Sequence, residues 1–208
     1  LDATVASAAP QVRSSARGLG LGLLAALIAF AVLVGLQGLS IAARLAQARP
    51  GTNVLLVALE LCTLAVRHDE LTKANIVAAS LFGDGAAALV LRAGDGGATR
   101  IEASGEKLWP DTLDIMGWTV DPEGFGVVFQ RTIPDFVRDH VGPAVAEILA
   151  RMQLTTDDID RFLCHPGGAK VIAALERALA LDQGTLDHER DVIAACGNMS
   201  AQIGRAHV

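Results

Sequence analysis

The chain has 208 residues, is 51% hydrophobic but only 4% aromatic, and carries a formal net charge of −6. Aliphatic residues at that density supply a core and exclude intrinsic disorder. An acidic balance with no basic stripe argues against nucleic acid as the main partner, but not against a small anionic substrate in a locally basic pocket.

Residues 1–17 are Ala/Ser-rich with Arg13 and Arg17, and read as a frayed terminus. Gly18–Leu39, "GLGLGLLAALIAFAVLVGLQGL", carries no charge. Its length suits a membrane span, and its glycines and alanines equally suit a buried helix. From Ser40 the texture becomes globular. "SIAARLAQARPG" predicts a helix closed by Pro50-Gly51, and "NVLLVALEL" a buried strand. "HDELTKANIVAASLF" reads as loop and helix, and "GDGAAALVLRAG" as turn, strand and turn. "TRIEASGEKLW" alternates as a strand does. "IPDFVRDHVGPAVAEILARM" is amphipathic and helical. "TTDD" opens a short helix as a capping box, "RFLCH" reads as a strand, and "AKVIAALERALAL" as a helix. Strands alternating with helices imply a layered α/β architecture.

The three cysteines, Cys62, Cys164 and Cys196, are odd in number and match no zinc spacing. They read as reduced thiols of a cytoplasmic protein, with no metal implied. Three segments carry candidate chemistry. His165 ends an apolar run at "HPGG", where a strand hands over to a helix and where α/β folds bind ligands. The alternative is a satisfied core histidine. Asn198 of "CGNMSA" offers two amide donors, so a His and an Asn could together stabilise an oxyanion. The alternative is a helix C-cap beside Gly197. "LFGDG" is most simply a tight turn before a strand.

Taken in order, "LFGDGAAA", "HPGGAKVI…ALE" and "GNMSA" closely resemble the type III polyketide synthases, the chalcone-synthase-like family of the thiolase fold. The resemblance covers roughly Gly38 to Ala201, and "HPGG" followed by "GNMS" is its strongest signature. "ELCTLAVRHDELTKANIVAASLFGDGAAALVL" and "WPDTLDIMGW" are similar to the bacterial branch that makes alkylpyrones and alkylresorcinols.

The resemblance implies a thiolase-like layered αβαβα fold, mainly its C-terminal half. It implies an acyltransferase that condenses malonyl-CoA decarboxylatively onto an acyl-CoA starter, without metal or cofactor beyond the CoA thioesters. It also implies a homodimer without nucleic-acid or membrane partners. It makes His165 and Asn198 the catalytic pair and Phe82 a gatekeeper at the active-site mouth. Cys62, Gly117, Val127 and Ser200 match cavity-lining positions. Plant members commonly carry a second gatekeeping Phe at the Val127 position, so the smaller Val implies room for a longer aliphatic starter.

The chain departs from the pattern in three places. Val32 stands where the family carries its nucleophilic cysteine in a Gly-rich turn, so no acyl loading is expected and the fragment as written is expected to be inactive as a synthase. Cys164 is a poor substitute, because neighbouring strand residues point to opposite faces. Cys196 stands where a Tyr is usual. The chain is read as a fragment: residues 1–37 as an atypical apolar segment or altered nucleophile region, 38–201 as the synthase region, and 202–208 as a non-native tail. The N-terminal CoA-contacting part and the C-terminal "GFGPG" loop are expected in a longer parent. Two other readings stay open: a non-catalytic, membrane-attached thiolase-like protein, and a ketoacyl synthase of fatty-acid synthesis.

Overall fold

The computed structural model describes residues 2–5, 37–67, 70–94, 99–112, 114–122 and 124–200. They fall into two units, Leu1–Glu60 with Gly85–Ser104, and Leu61–Asp84 with Gly105–Val208. Residues 6–36, which hold the rest of the Ala/Ser-rich start and most of the charge-free run, and the tail from residue 201 lie outside the described residues, whereas Asp2–Val5, expected to be part of a frayed terminus, is held as a strand by its pairing with Leu89–Arg92. No described helix is long and apolar enough to cross a membrane.

The first unit is a four-stranded sheet in the order β2-β3-β1-β4, from β1 (Asp2–Val5), β2 (Asn53–Leu61), β3 (Asp84–Arg92) and β4 (Thr99–Arg100). β1 runs antiparallel to β3, from Asp2↔Arg92 to Val5↔Leu89. Helix α1 (residues 37–48) precedes β2. Its small Ala42 and Ala43 lie on Leu91, ringed by Leu39, Val54, Leu56, Leu89 and Ile101. β2 is therefore a strand but not a fully buried one. It lies at a sheet edge, and its other face leaves Leu55, Val57, Leu59 and Leu61 46–63% exposed.

The second unit holds α2 (Lys73–Leu81), the hairpin β5 (Met116–Asp121) and β6 (Gly124–Phe129), α3 (Ile133–Arg151), α4 (Ala169–Ala178) and α5 (Asp187–Cys196). Thr72 caps α2 by accepting the Asn75 N–H at 3.2 Å. α3 starts with Pro134 and Asp135 and ends with Arg151, each suited to its end of the helix. The Thr155 hydroxyl and N–H both donate to Asp158, so the capping box forms, around a single 3₁₀ turn.

Three strand or turn expectations are corrected. "TRIEASGEKLW" is a strand only at Thr99–Arg100, and its later part is tied to α3 by the Lys107–Glu147 ion pair instead of a ladder. "RFLCH" pairs with no strand among the described residues, and a side chain takes its Cys164 N–H. The Gly-Asp-Gly run is not a free-standing turn: Asp84 and Gly85 already belong to β3.

α4 and α5 are joined by a buried carboxylate. Glu176, 4% exposed, accepts the Gly184 and Leu186 N–H groups at 3.0 and 3.2 Å and both Arg190 terminal nitrogens at 2.7 and 2.6 Å. Arg190 holds its pKa well down, to about 2, against the opposing effect of burial, with help from the two backbone donors. Because that value lies below the ordinary 4.5, the contribution is complete above about pH 4.5 and is lost as pH falls toward 2. Glu176→Gln should lower stability by about 2–3 kcal/mol at pH 7, less than a fully buried pair because Arg190 is partly exposed. It should also flatten the acid limb of urea midpoints measured against pH.

Candidate active site

The site is assembled at a backbone bridge between two segments far apart in sequence. α2 ends at Leu81, and Phe82 pairs with Asn198 as an isolated parallel bridge. The Asn198 N–H donates to Leu81 O at 2.7 Å, and the Gly83 N–H donates to Asn198 O at 3.1 Å. Glycine makes this approach feasible on both sides. A Cβ on Gly83 would sit 2.0 Å from Cys196 O, and one on Gly197 2.7 Å from Leu81 O; Gly197 also has φ 73°. The glycines of "LFGDG" and "CGNMS" thus serve one contact. Asp84 secures the approach by accepting the Thr63 N–H and hydroxyl at 2.8 and 2.6 Å. That ties down the turn Cys62–Ala65, which opens with the buried Cys62.

Asn198 is 7% exposed and follows the α5 C-cap, which is Gly197, so its amide is not the cap itself. Its Oδ1 accepts the Ser200 N–H at 2.9 Å, closing an Asx turn that supports Ser200 at φ 54°. Its Nδ2 reaches Gly167 O at a long 3.4 Å, and the second amide hydrogen has no acceptor among the described residues.

His165 approaches the same segment from the other side. The Gly167 N–H folds back onto His165 O at 2.9 Å, and the ring lies over Gly167. Burial lowers the ring's pKa, partly offset by a hydrogen bond to the Ser200 backbone. One ring nitrogen of the neutral imidazole carries a lone pair. Gly168 (φ 151°) turns the chain into α4 immediately afterwards. Cys164, beside His165, is a poor nucleophile: burial, then Glu189, pushes its thiol up to about 11.

Phe82 connects this pair to the hairpin. Its ring lies 5.8 Å from Phe129 and 6.4 Å from Trp118, and Trp118 lies 6.2 Å from Phe125. Trp118 pairs with Val127, so Val127 lies on the face that Phe82 meets. Gly117 pairs with Val128 on the opposite face, so the structure does not bring Gly117 and Val127 to one surface. The room expected beside Val127 is bordered by Trp118 and Phe129, which the sequence reading passed over. "MGWTVDPEGFGVVF", two alternating runs around a Pro- and Gly-containing turn, was the available signal for this hairpin. A depression of about 210 Å³ beside α2, lined by Val66, Arg67, Asn75 and Ile76 among others, contains none of these site residues.

Residues 100–203, half of the chain, match the C-terminal domain of the chalcone and stilbene synthases. The chain belongs to the chalcone and stilbene synthase family. It is 43% identical over 157 residues to 1,3,6,8-tetrahydroxynaphthalene synthase of Streptomyces peucetius subsp. caesius, covering 73% of this chain and 41% of that protein. It is 32% identical over 171 residues to the alpha-pyrone synthesis polyketide synthase-like Pks18 of Mycobacterium tuberculosis, covering 79% and 43%. The crystal structure of the Streptomyces coelicolor tetrahydroxynaphthalene synthase, a bacterial type III polyketide synthase, superposes with a TM-score of 0.75 at 26% identity over 86% of this chain and 50% of that one. The layered α/β arrangement is thus the thiolase-like fold of this family, in part. The chain spans less than half the length of both relatives.

Two outcomes follow from this geometry. Gly83→Ala drives a Cβ into backbone, so it should cost about 1–3 kcal/mol or more in urea unfolding. The Asn198 amide should then lose hydrogen-exchange protection. The folded pKa of His165 lies below its ordinary 6.5, so its contribution is complete above about pH 6.5 and lost as pH falls through the lower folded value. His165→Gln should remove that part of the pH dependence of thermal stability.

Proposed function

We propose that this chain carries the decarboxylation and enolate-holding part of a type III polyketide synthase site, an acyltransferase using malonyl-CoA and an acyl-CoA starter for pyrone- or resorcinol-type products. As in the family at large, the working form would be a homodimer. One observation carries the reading: both candidate side chains meet at Gly167, which lies against the His165 ring and whose carbonyl accepts the Asn198 amide at 3.4 Å. One amide hydrogen of Asn198 is left without an acceptor among the described residues.

Those two side chains suit the chemistry. When the bond between the α-carbon and the carboxylate of malonyl-CoA breaks, carbon dioxide leaves and its electron pair becomes an enolate with charge on the thioester oxygen. The Asn198 amide donates to that oxygen, and so does His165 once protonated. In the complete reaction, the lone-pair nitrogen of His165 takes the proton of a thiol. The thiolate then forms a C–S bond to the starter acyl group, and CoA leaves with its own sulfur. The enolate carbon next forms the C–C bond, displacing the thiolate. Position 32, outside the described residues, is Val in this chain and has no atom to acylate.

The chain should therefore decarboxylate malonyl-CoA without forming an acyl adduct. Asn198→Ala and His165→Ala should each slow acetyl-CoA release by about 10²–10³. Intact mass after incubation with acyl-CoA should show unmodified protein. Unchanged decarboxylation in Asn198→Ala would overturn the assignment, and a hydrolysable adduct on Cys62 would overturn the account of position 32.

A further inference from the structure

Glu189 has no part in the chemistry above, yet it is 2% exposed in the first turn of α5. Burying a carboxylate is costly unless it is hydrogen-bonded. Its Oε1 accepts the Cys164 N–H at 2.9 Å, across 25 residues of sequence. That N–H is one a strand would give to its neighbour, and residues 161–168 pair with no strand among the described residues. The carboxylate therefore fills the place of a ladder partner, at the residue immediately before His165. The His165 ring lies on Gly167, whose carbonyl takes the Asn198 amide at 3.4 Å, two residues past the other end of α5. The helix thus bears on the residue before His165 at its start and leads into the segment that meets the His165 loop at its end.

We infer that Glu189 is the positioning residue for His165, fixing through the Cys164 N–H the height at which the imidazole lies over Gly167, where the Asn198 amide also arrives. This rests on the catalytic reading of His165 given above. A carboxylate suits the task because a charge-assisted hydrogen bond is shorter and stronger than a neutral one. A glutamine keeps an acceptor oxygen at the same reach, and a leucine keeps the volume and loses the acceptor.

The test compares the full chain with its Glu189→Gln and Glu189→Leu variants. In the wild type the Cys164 amide should be protected from hydrogen exchange although it lies outside any ladder; fast exchange in the folded chain would sink the inference without any variant. Glu189→Gln should keep the low His165 titration seen by NMR and decarboxylate malonyl-CoA within about twofold of wild type. Glu189→Leu should let the ring titrate nearer its ordinary value and lose about tenfold to 100-fold in kcat, with KM little changed, as expected for a misplaced group. If both variants lower the melting temperature alike while His165 titration and kcat stay at wild-type values, Glu189 is only a structural residue. A wild-type chain that leaves malonyl-CoA intact would sink the catalytic reading instead, and the exchange and titration results would then decide the positioning alone.

Discussion

The site depends on how closely two stretches of backbone can approach. The bridge between Phe82 and Asn198 leaves no room for a Cβ at Gly83 or Gly197, whose imagined methyls would land on the carbonyl oxygens of Cys196 and Leu81. Two hydrogen bonds then fix the register, and everything attached to either segment follows. The Phe82 ring is presented to the hairpin from one side. The Asn198 amide is presented to Gly167, on which the His165 ring lies. A larger residue at either glycine would act on the site through distance alone, without touching a reacting group.

The frame behind His165 is a closed circuit of chain. His165 leads through Gly168 into α4, α4 is locked to α5 by Glu176 and Arg190, and α5 returns to Cys164 through Glu189. Buried carboxylates at two points of this circuit are costly to desolvate, and each is offset by backbone or guanidinium donors. Such a frame suits a site whose chemistry is electrostatic, because donors already in place need no reorganisation as charge develops. Burial lowers the pKa of the His165 imidazole and so favours its neutral form.

The hairpin supplies the other wall. Its alternation puts Trp118, Phe125, Val127 and Phe129 on one face and Gly117 and Val128 on the other. A small residue at 127 opens space only to the extent that its aromatic neighbours leave it. The space beside position 127 is therefore a property of the cluster around Phe82, not of position 127 alone.

Much of this was legible in the residues themselves. The helical periods of α2 to α4, the capping box at Thr155 and the motif pair "HPGG" and "GNMS" are local patterns, and local patterns survive without tertiary structure. The motif pair sufficed to single out His165 and Asn198, while Phe82 came only with the family resemblance. What they could not give was whether an apolar run finds a strand to pair with. "RFLCH" and most of "TRIEASGEKLW" do not, because their partners are a glutamate and a helix rather than a neighbouring strand. Nor could they show which face of a strand is covered, as the exposed side of β2 records. The meeting of Asn198 with Gly167, the glycine-permitted bridge and the support from Glu189 join residues 25 to more than 100 positions apart. No periodicity spans such distances, so the tertiary structure alone decided them.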